Sequence, residues 1–90
     1  RSLPQISVDG MVKETYALDE KLIIPTATIL NDSASNTTLY VFLQTPSARI
    51  VNYTEQTEIA FSVKGEYQLI FYAVDGEYNV SEKIYAFNVV

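Results

Sequence analysis

The sequence predicts an all-β protein, a sandwich of two sheets with about seven strands. Short runs of β-branched and aromatic residues alternate with clusters of Asp, Asn, Gly, Ser and Pro, at the spacing typical of such sandwiches. No window of useful length repeats its apolar residues with the helical period, so we expect almost no helix. A chain of 90 residues that is 48% hydrophobic is long enough for one core, which makes residues 1–90 a single domain.

Eight runs rich in apolar and β-branched residues supply the strands and their continuations. In chain order they are residues 5–8, 11–16, 21–30, 37–44, 50–53, 58–63, 66–74 and 80–90. Polar residues that bond their own backbone separate the runs. The longest polar stretch, residues 31–36, is a loop on the same grounds.

Glycine, proline and aspartate mark the strand ends in order. Asp9 and Gly10 form a turn that closes the first run. Pro25 lies inside the third run and predicts a bulge or a partial edge position, because proline cannot donate to a sheet ladder. Pro46 ends the fourth run for the same reason. The turn at residues 75–79 separates the last two strands.

The step from Gly65 to Tyr67 is the most specific local signal. A glycine permits a sharp corner, and a tyrosine just inside the strand can bury its ring while its hydroxyl bonds nearby backbone. Such a tyrosine corner opens the penultimate strand of immunoglobulin-like sandwiches. We therefore expect Tyr67 to be buried, with its hydroxyl bonded to backbone in residues 58–65.

Two stretches of the chain carry a resemblance to a known group of domains. The first is the turn at residues 16–20 followed by the Pro-x-Ala strand at residues 24–27. The second comprises Gly65, Tyr67, Ala73, Asp75 and Asn79, with Tyr78 where those domains usually have glycine. Together they resemble the small immunoglobulin-like domains of bacterial surface proteins and phage virion proteins, which include HYR-like, PKD-like and cadherin-like modules.

That resemblance implies an immunoglobulin-like, two-sheet Greek-key sandwich. It also implies a spacer, display, adhesion or decoration role on a cell surface or virion. The chain opens with Arg1 and lacks an initiator methionine. We therefore expect a structural or adhesion module of a larger extracellular or virion protein.

Composition argues against several other classes of function. The chain has no cysteine, so it can form neither a disulfide nor a cysteine-ligated metal site. Its formal charge is −5 and its six basic residues are scattered singly, which makes nucleic acid and anionic membranes poor partners. No apolar run is long enough to span a bilayer, so membrane insertion is not expected.

Catalysis is not expected either. Histidine and cysteine are both absent, which removes the usual general base and the thiol nucleophile. Neither Ser-x-x-Lys nor Gly-x-Ser-x-Gly occurs. The paired acids, Asp19 with Glu20 and Asp75 with Glu77, fall in turns, where such groups are usually solvated. We expect no cofactor.

Turn acids and asparagines leave two alternatives open. Asp9, Asp32, Asp75 and Glu77 resemble the calcium ligands of cadherin-like domains, but we expect them to bond their own turns. Four of the five asparagines lie in Asn-x-Ser/Thr sequons, which would accept glycans in a secreted eukaryotic protein; they are Asn31, Asn36, Asn52 and Asn79. We interpret these first as turn residues.

Alternation along the strands predicts the core. Residues of one parity should point inward. The expected core residues are Leu22, Ile24, Ala27, Ile29, Leu39, Val41, Leu43, Ile59, Phe61, Tyr67, Leu69, Phe71, Ala73, Phe87 and Val89.

The opposite parity predicts an apolar outer face. Tyr40, Phe42, Ile70 and Tyr72 should point outward together, extended on the last strand by Tyr85 or Ala86. Contiguous exposed apolar surface usually marks a partner site, so we expect a protein partner here: a neighbouring domain, a sister copy or a decorated surface. Outward tyrosines chosen for strand propensity are the equally simple alternative. A carbohydrate- or receptor-binding module is the second functional candidate, since seven tyrosines could stack on sugars.

Overall fold

The computed structural model describes residues 3–30 and 36–90, and these contain nine strands and no helix. The strands are β1 (Ile6–Asp9), β2 (Thr15–Tyr16), β3 (Lys21–Ile23), β4 (Thr26–Ile29), β5 (Thr38–Gln44), β6 (Ile50–Asn52), β7 (Glu58–Ala60), β8 (Gly65–Val74) and β9 (Val80–Val89). They form a five-stranded sheet in the order β2-β9-β8-β5-β6 and two small pairs, β1-β4 and β3-β7. All pairings are antiparallel except that of β2 with β9.

The core lies between the five-stranded sheet and the two small pairs, in a β-sandwich-like arrangement. Phe71, Leu22, Ile59 and Leu69 are fully buried at its centre. Every residue predicted for the core belongs to this cluster or packs against it, so the predicted register is confirmed. Ile24, Ala27, Ile29, Leu39 and Phe61 are only partly buried, because they lie at the margins of the cluster.

Pro25 divides the predicted strand of residues 21–30 into two. The segment before it, β3, pairs with β7, and the segment after it, β4, pairs with β1. Proline lacks the N–H that a continuous ladder needs, so the interruption falls there. Pro25 is buried against Gly10, where an added Cβ would lie 3.0 Å from the proline Cβ. A full break between two pairs replaces the bulge that was one alternative, and β3 and β4, with one partner strand each, lie at sheet edges as the other alternative predicted.

The predicted strand at residues 11–16 is mostly irregular, which corrects the expectation. Only Thr15 and Tyr16 pair, in parallel with the end of β9. The Tyr16 ring packs against Phe87 with centroids 5.3 Å apart and against Phe61 at 5.8 Å. Tyr16 and Ile6 belong to the core although alternation did not select them. Their burial follows from pairings that no local pattern encodes.

The corner at the start of β8 has the predicted form. Gly65 has φ of +136°, and an added Cβ would lie 2.8 Å from the Pro46 Cγ, so only glycine fits there without displacement. Tyr67 is 5% exposed and its hydroxyl donates to the Val63 carbonyl. Its ring stacks on Phe87 at 5.4 Å. Burial raises the pKa of the Tyr67 hydroxyl above its ordinary value of 10.0.

Candidate interaction surface

The outer face is the side of the five-stranded sheet that points away from the core. Strand register places Tyr40 directly opposite Tyr72 and Phe42 opposite Ile70. Ile70 is in turn paired with Ile84 of the adjacent strand β9. Four of the five residues predicted for a partner site therefore lie side by side on this face. Side chains directly opposite on one face are close enough to contact each other.

Three rings on this face form an aromatic cluster, made of Tyr40, Phe42 and Tyr72. The rings of Tyr40 and Phe42 are stacked, with centroids 5.8 Å apart and planes 12° from parallel. Tyr72 contacts both, at 6.4 Å from Tyr40 and 6.1 Å from Phe42. Each residue is half-buried although no second layer covers this side among the described residues. The rings therefore cover one another in part, with the Tyr72 ring tilted 49° from Tyr40 and 60° from Phe42.

Aliphatic side chains extend the aromatic cluster across β8 and β9. Ile84 is 48% exposed beside Ile70, and Val80 is 39% exposed opposite Val74. Ile50 on β6 adds a further side chain that is 52% exposed. Ile84 and Val80 are not among the residues predicted for the partner site. Because Phe87 and Val89 point inward, alternation puts the even-numbered residues of β9, Ile84 and Val80 among them, on the outer face.

Tyr85 does not belong to the outer face, which corrects its prediction as a partner-binding residue. It lies opposite Leu69 on the core side, and its ring meets Phe71 edge-on at 6.0 Å. Phe87 is buried and fixes the parity of β9, so the outward residue at this point is Ala86. The patch is thus aliphatic on β9 and aromatic on β5 and β8.

Charged groups are absent from the aromatic cluster itself but not from the whole outer face. Glu82 is the acidic neighbour of Tyr72 across β9. Lys83 points to the other side, where its Nζ donates to the Ile6 carbonyl at 3.1 Å. The ion pairs of the described residues, Lys13 with Glu20 and Lys21 with Glu58, both lie off this face. The aromatic cluster is therefore uncharged, and the Glu82 carboxylate lies beside it between Val80 and Ile84 of β9.

Two of the turn acids, Asp75 and Glu20, bond the backbone of their own turns. The Asp75 carboxylate is buried and accepts the backbone N–H groups of Glu77 and Asn79, both at 2.9 Å. Glu20 accepts the Ala17 N–H at 3.0 Å and bonds Lys13; the Lys13 bond is the main reason its pKa is lowered. Asp32 lies outside the described residues. Within residues 3–30 and 36–90, no group of three or more His, Cys, Asp and Glu side chains could hold a metal ion.

The sequon asparagines divide by how their amides are used. Asn79 donates its side-chain N–H to the Asp75 carboxylate at 2.9 Å, so this amide belongs to the turn. Asn52 accepts both the N–H and the hydroxyl of Thr54 through its Oδ1, at 2.8 and 2.6 Å. Asn36 is exposed and lies against Gly76. Asn31 lies outside the described residues. Asn52 and Asn79 thus act as turn residues, as expected.

Comparison with protein-family models, with curated proteins and with solved structures gives no match for this chain. In the part of the chain that the structure describes, no helix is long and apolar enough to cross a membrane.

Proposed function

We propose that this chain is a non-catalytic structural or interaction module of a larger extracellular or virion protein, folded as an immunoglobulin-like Greek-key sandwich. The observation that carries the proposal is the aromatic cluster of Tyr40, Phe42 and Tyr72 on the outer face, continuous with Ile70 and Ile84.

The strand order supports the immunoglobulin-like assignment. In such sandwiches strands A, B and E pack on strands C, F and G. Here β1, the divided strand β3 and β4, and β7 pack on a sheet centred on β5, β8 and β9. The Gly65 to Tyr67 corner stands at the start of β8, the penultimate strand, as the tyrosine corner does in those domains.

The character of the outer face supports docking to another protein. An antiparallel sheet with one solvated face normally alternates apolar with polar residues, and the centre of this sheet does not. Aromatic side chains are enriched at the centres of protein interfaces, where charges are depleted. A neighbouring domain, a sister copy or the decorated surface would meet an apolar surface that carries the Glu82 carboxylate beside Tyr72.

The side chains that could do acid or base chemistry support a non-catalytic role. The chain has no histidine and no cysteine. Asp75 and Glu20, one from each acidic pair, are held by turn hydrogen bonds. A general base needs a free lone pair within reach of a substrate. The Asp75 carboxylate accepts backbone N–H groups and the Asn79 amide, and Glu20 accepts the Ala17 N–H and bonds Lys13.

Replacement of the aromatic cluster tests the docking role. The variant Tyr40→Thr, Phe42→Thr, Tyr72→Thr keeps strand-forming residues on the outer face while removing its ring surface. We expect it to remain folded in circular dichroism and to lose association with its parent assembly in size-exclusion and pull-down measurements.

A matched control removes equal numbers of exposed apolar side chains elsewhere. Met11, Ile23 and Val63 are 80%, 66% and 56% exposed and lie off the outer face. Their replacement by Thr should leave association unchanged. Normal assembly by the variant lacking the aromatic cluster would show that the outer face is not the working surface.

A further inference from the structure

A groove of about 590 Å³ opens at the end of the outer face where β5 and β9 finish and β8 begins. Its floor consists of two cross-strand pairs of outward residues, Gln44 with Gln68 and Glu66 with Asn88. The turn between β5 and β6 forms one wall. The lining residues are Glu14, Thr15, Gln44, Thr45, Pro46, Ala48, Glu66, Tyr67, Gln68, Ala86, Phe87 and Asn88.

Three unengaged amides lie together in this groove. Gln44 is directly opposite Gln68. Asn88 belongs to the neighbouring cross-strand pair on the same face, opposite Glu66. Hydrogen bonds among the described residues leave these three side-chain amides free. Each side-chain amide carries an NH₂ donor group next to a carbonyl oxygen acceptor. One amide can therefore bond two neighbouring hydroxyl groups of a ligand, one as acceptor and one as donor.

The charge of the groove limits what it can bind. Its ionisable groups include the carboxylates of Glu14 and Glu66, and none of its described lining residues is Lys or Arg. Phosphorylated, sulfated or carboxylated ligands would therefore be repelled. A neutral ligand that both donates and accepts hydrogen bonds fits the amides and the carboxylates together.

We propose that this groove binds a neutral carbohydrate. Its volume lies in the range of small-ligand sites, which is about 300 to 1,000 Å³. Phe42 is the next outward residue along β5 from Gln44, a step of about 7 Å. One sugar can thus meet the amides with its hydroxyls while the next lies against the Phe42 ring.

The groove is held in shape before any ligand arrives. Thr45 donates its N–H to the Arg49 carbonyl at 2.8 Å, and the Ala48 N–H bonds the Thr45 carbonyl at 2.9 Å. Ala48 has φ of +68°, so the turn is fixed in the left-handed conformation that closes it. Pro46 packs against Gly65 at the base of the wall. A rigid wall lowers the entropy lost on binding.

The test uses the intact chain and immobilised neutral polysaccharides, namely xylan, mannan, β-glucan and galactan, with a binding polymer then titrated as its short oligosaccharide. We expect at least one to bind, with the side-chain NH₂ signals of Gln44, Gln68 and Asn88 shifting in ¹H–¹⁵N spectra. The double variant Gln44→Ala, Gln68→Ala should weaken binding about tenfold or more, because it removes several hydrogen bonds.

Gln56→Ala is the matched control, since Gln56 is an exposed glutamine outside the groove, and it should bind like the unaltered chain. Binding should also withstand added salt, as expected for uncharged groups. Failure of all four polysaccharides to bind, equal binding by the double variant, or shifts confined to residues outside the groove would each overturn the proposal. The double variant leaves the aromatic cluster intact, so this result is separate from the docking test.

Discussion

Tyr78 occupies a backbone position that favours glycine. Its φ is +65°, its side chain is 87% exposed, and its N–H donates to the Asp75 carbonyl at 3.1 Å. The left-handed conformation costs a non-glycine residue about 1 to 2 kcal/mol. Replacement by glycine removes this cost, but part of the benefit is offset because glycine loses more conformational freedom on folding than other residues do.

We therefore predict that Tyr78→Gly raises the free energy of unfolding by up to about 1 kcal/mol, measured by urea denaturation. Tyr78→Ala keeps the strained φ and should give no gain. A destabilised Tyr78→Gly protein would mean that the exposed ring contributes contacts that outweigh the backbone strain.

Tyr67 is a buried side chain whose hydroxyl donates a hydrogen bond to the Val63 carbonyl. Removing its hydroxyl loses the bond to Val63, and we predict that Tyr67→Phe lowers the free energy of unfolding by about 0.5 to 1.5 kcal/mol. The folded-state pKa of Tyr67 is raised, so its contribution is present below its ordinary pKa of 10.0 and is lost as pH rises through the folded pKa. The variant should therefore lose less stability than the unaltered chain under strongly alkaline conditions. Identical unfolding midpoints at neutral pH would remove the corner's energetic role.

β8 is the element on which the core depends. Its inward residues, Tyr67, Leu69, Phe71 and Ala73, are all buried, and β8 pairs with both β5 and β9 along its length. Phe71 is completely buried and contacts Tyr85 edge-on. We predict that Phe71→Ala lowers the free energy of unfolding by about 3 to 5 kcal/mol in chemical denaturation.

Ile84→Ala is the control for that measurement. Ile84 is 48% exposed on the outer face, so its truncation leaves no buried cavity and should cost less than about 1 kcal/mol. Equal losses from Phe71→Ala and Ile84→Ala would contradict the assignment of the two faces.

The strands that alternation defined were predictable, and those that depend on distant partners were not. β5 and β8 carry long apolar runs whose parity follows from the sequence, which located both the core and the aromatic cluster. The run of Ile84, Tyr85 and Ala86 allows either parity by itself, but the expected burial of Phe87 and Val89 already implied that Tyr85 points inward, as the structure has it. The pairing of β2 with β9 joins segments far apart in the chain. The polar groove was equally hidden, because it requires the β5–β8 register together with the turn after β5.

At the scale of the whole molecule, the outer face combines an apolar half with a polar half. The aromatic cluster lies towards the β8–β9 turn, and the groove lies at the other end of the same strands. Phe42 belongs to both: it is part of the aromatic cluster, and it is the outward residue next to Gln44 along β5. Substitution of Gln44 and Gln68 disrupts the groove without altering the aromatic cluster, whereas a sugar that lies against Phe42 would compete with a docked protein for that ring.

Net charge opposes contact between outer faces of two copies near neutral pH. The formal charge is −5 at pH 7, and it falls to zero near the sequence pI of about 4.4. Repulsion between like-charged copies keeps such a protein monomeric, whereas an uncharged protein associates through its apolar surface. The outer face offers the aromatic cluster for that contact.

We predict that the chain self-associates reversibly as pH is lowered towards 4.4, and that the Tyr40→Thr, Phe42→Thr, Tyr72→Thr variant stays monomeric. Sedimentation velocity across a pH series measures this, with circular dichroism to verify that both proteins remain folded. The Met11→Thr, Ile23→Thr, Val63→Thr control should associate like the unaltered chain, because its outer face is intact. Equal association by all three proteins would assign the contact to general loss of charge and remove the aromatic cluster as its cause.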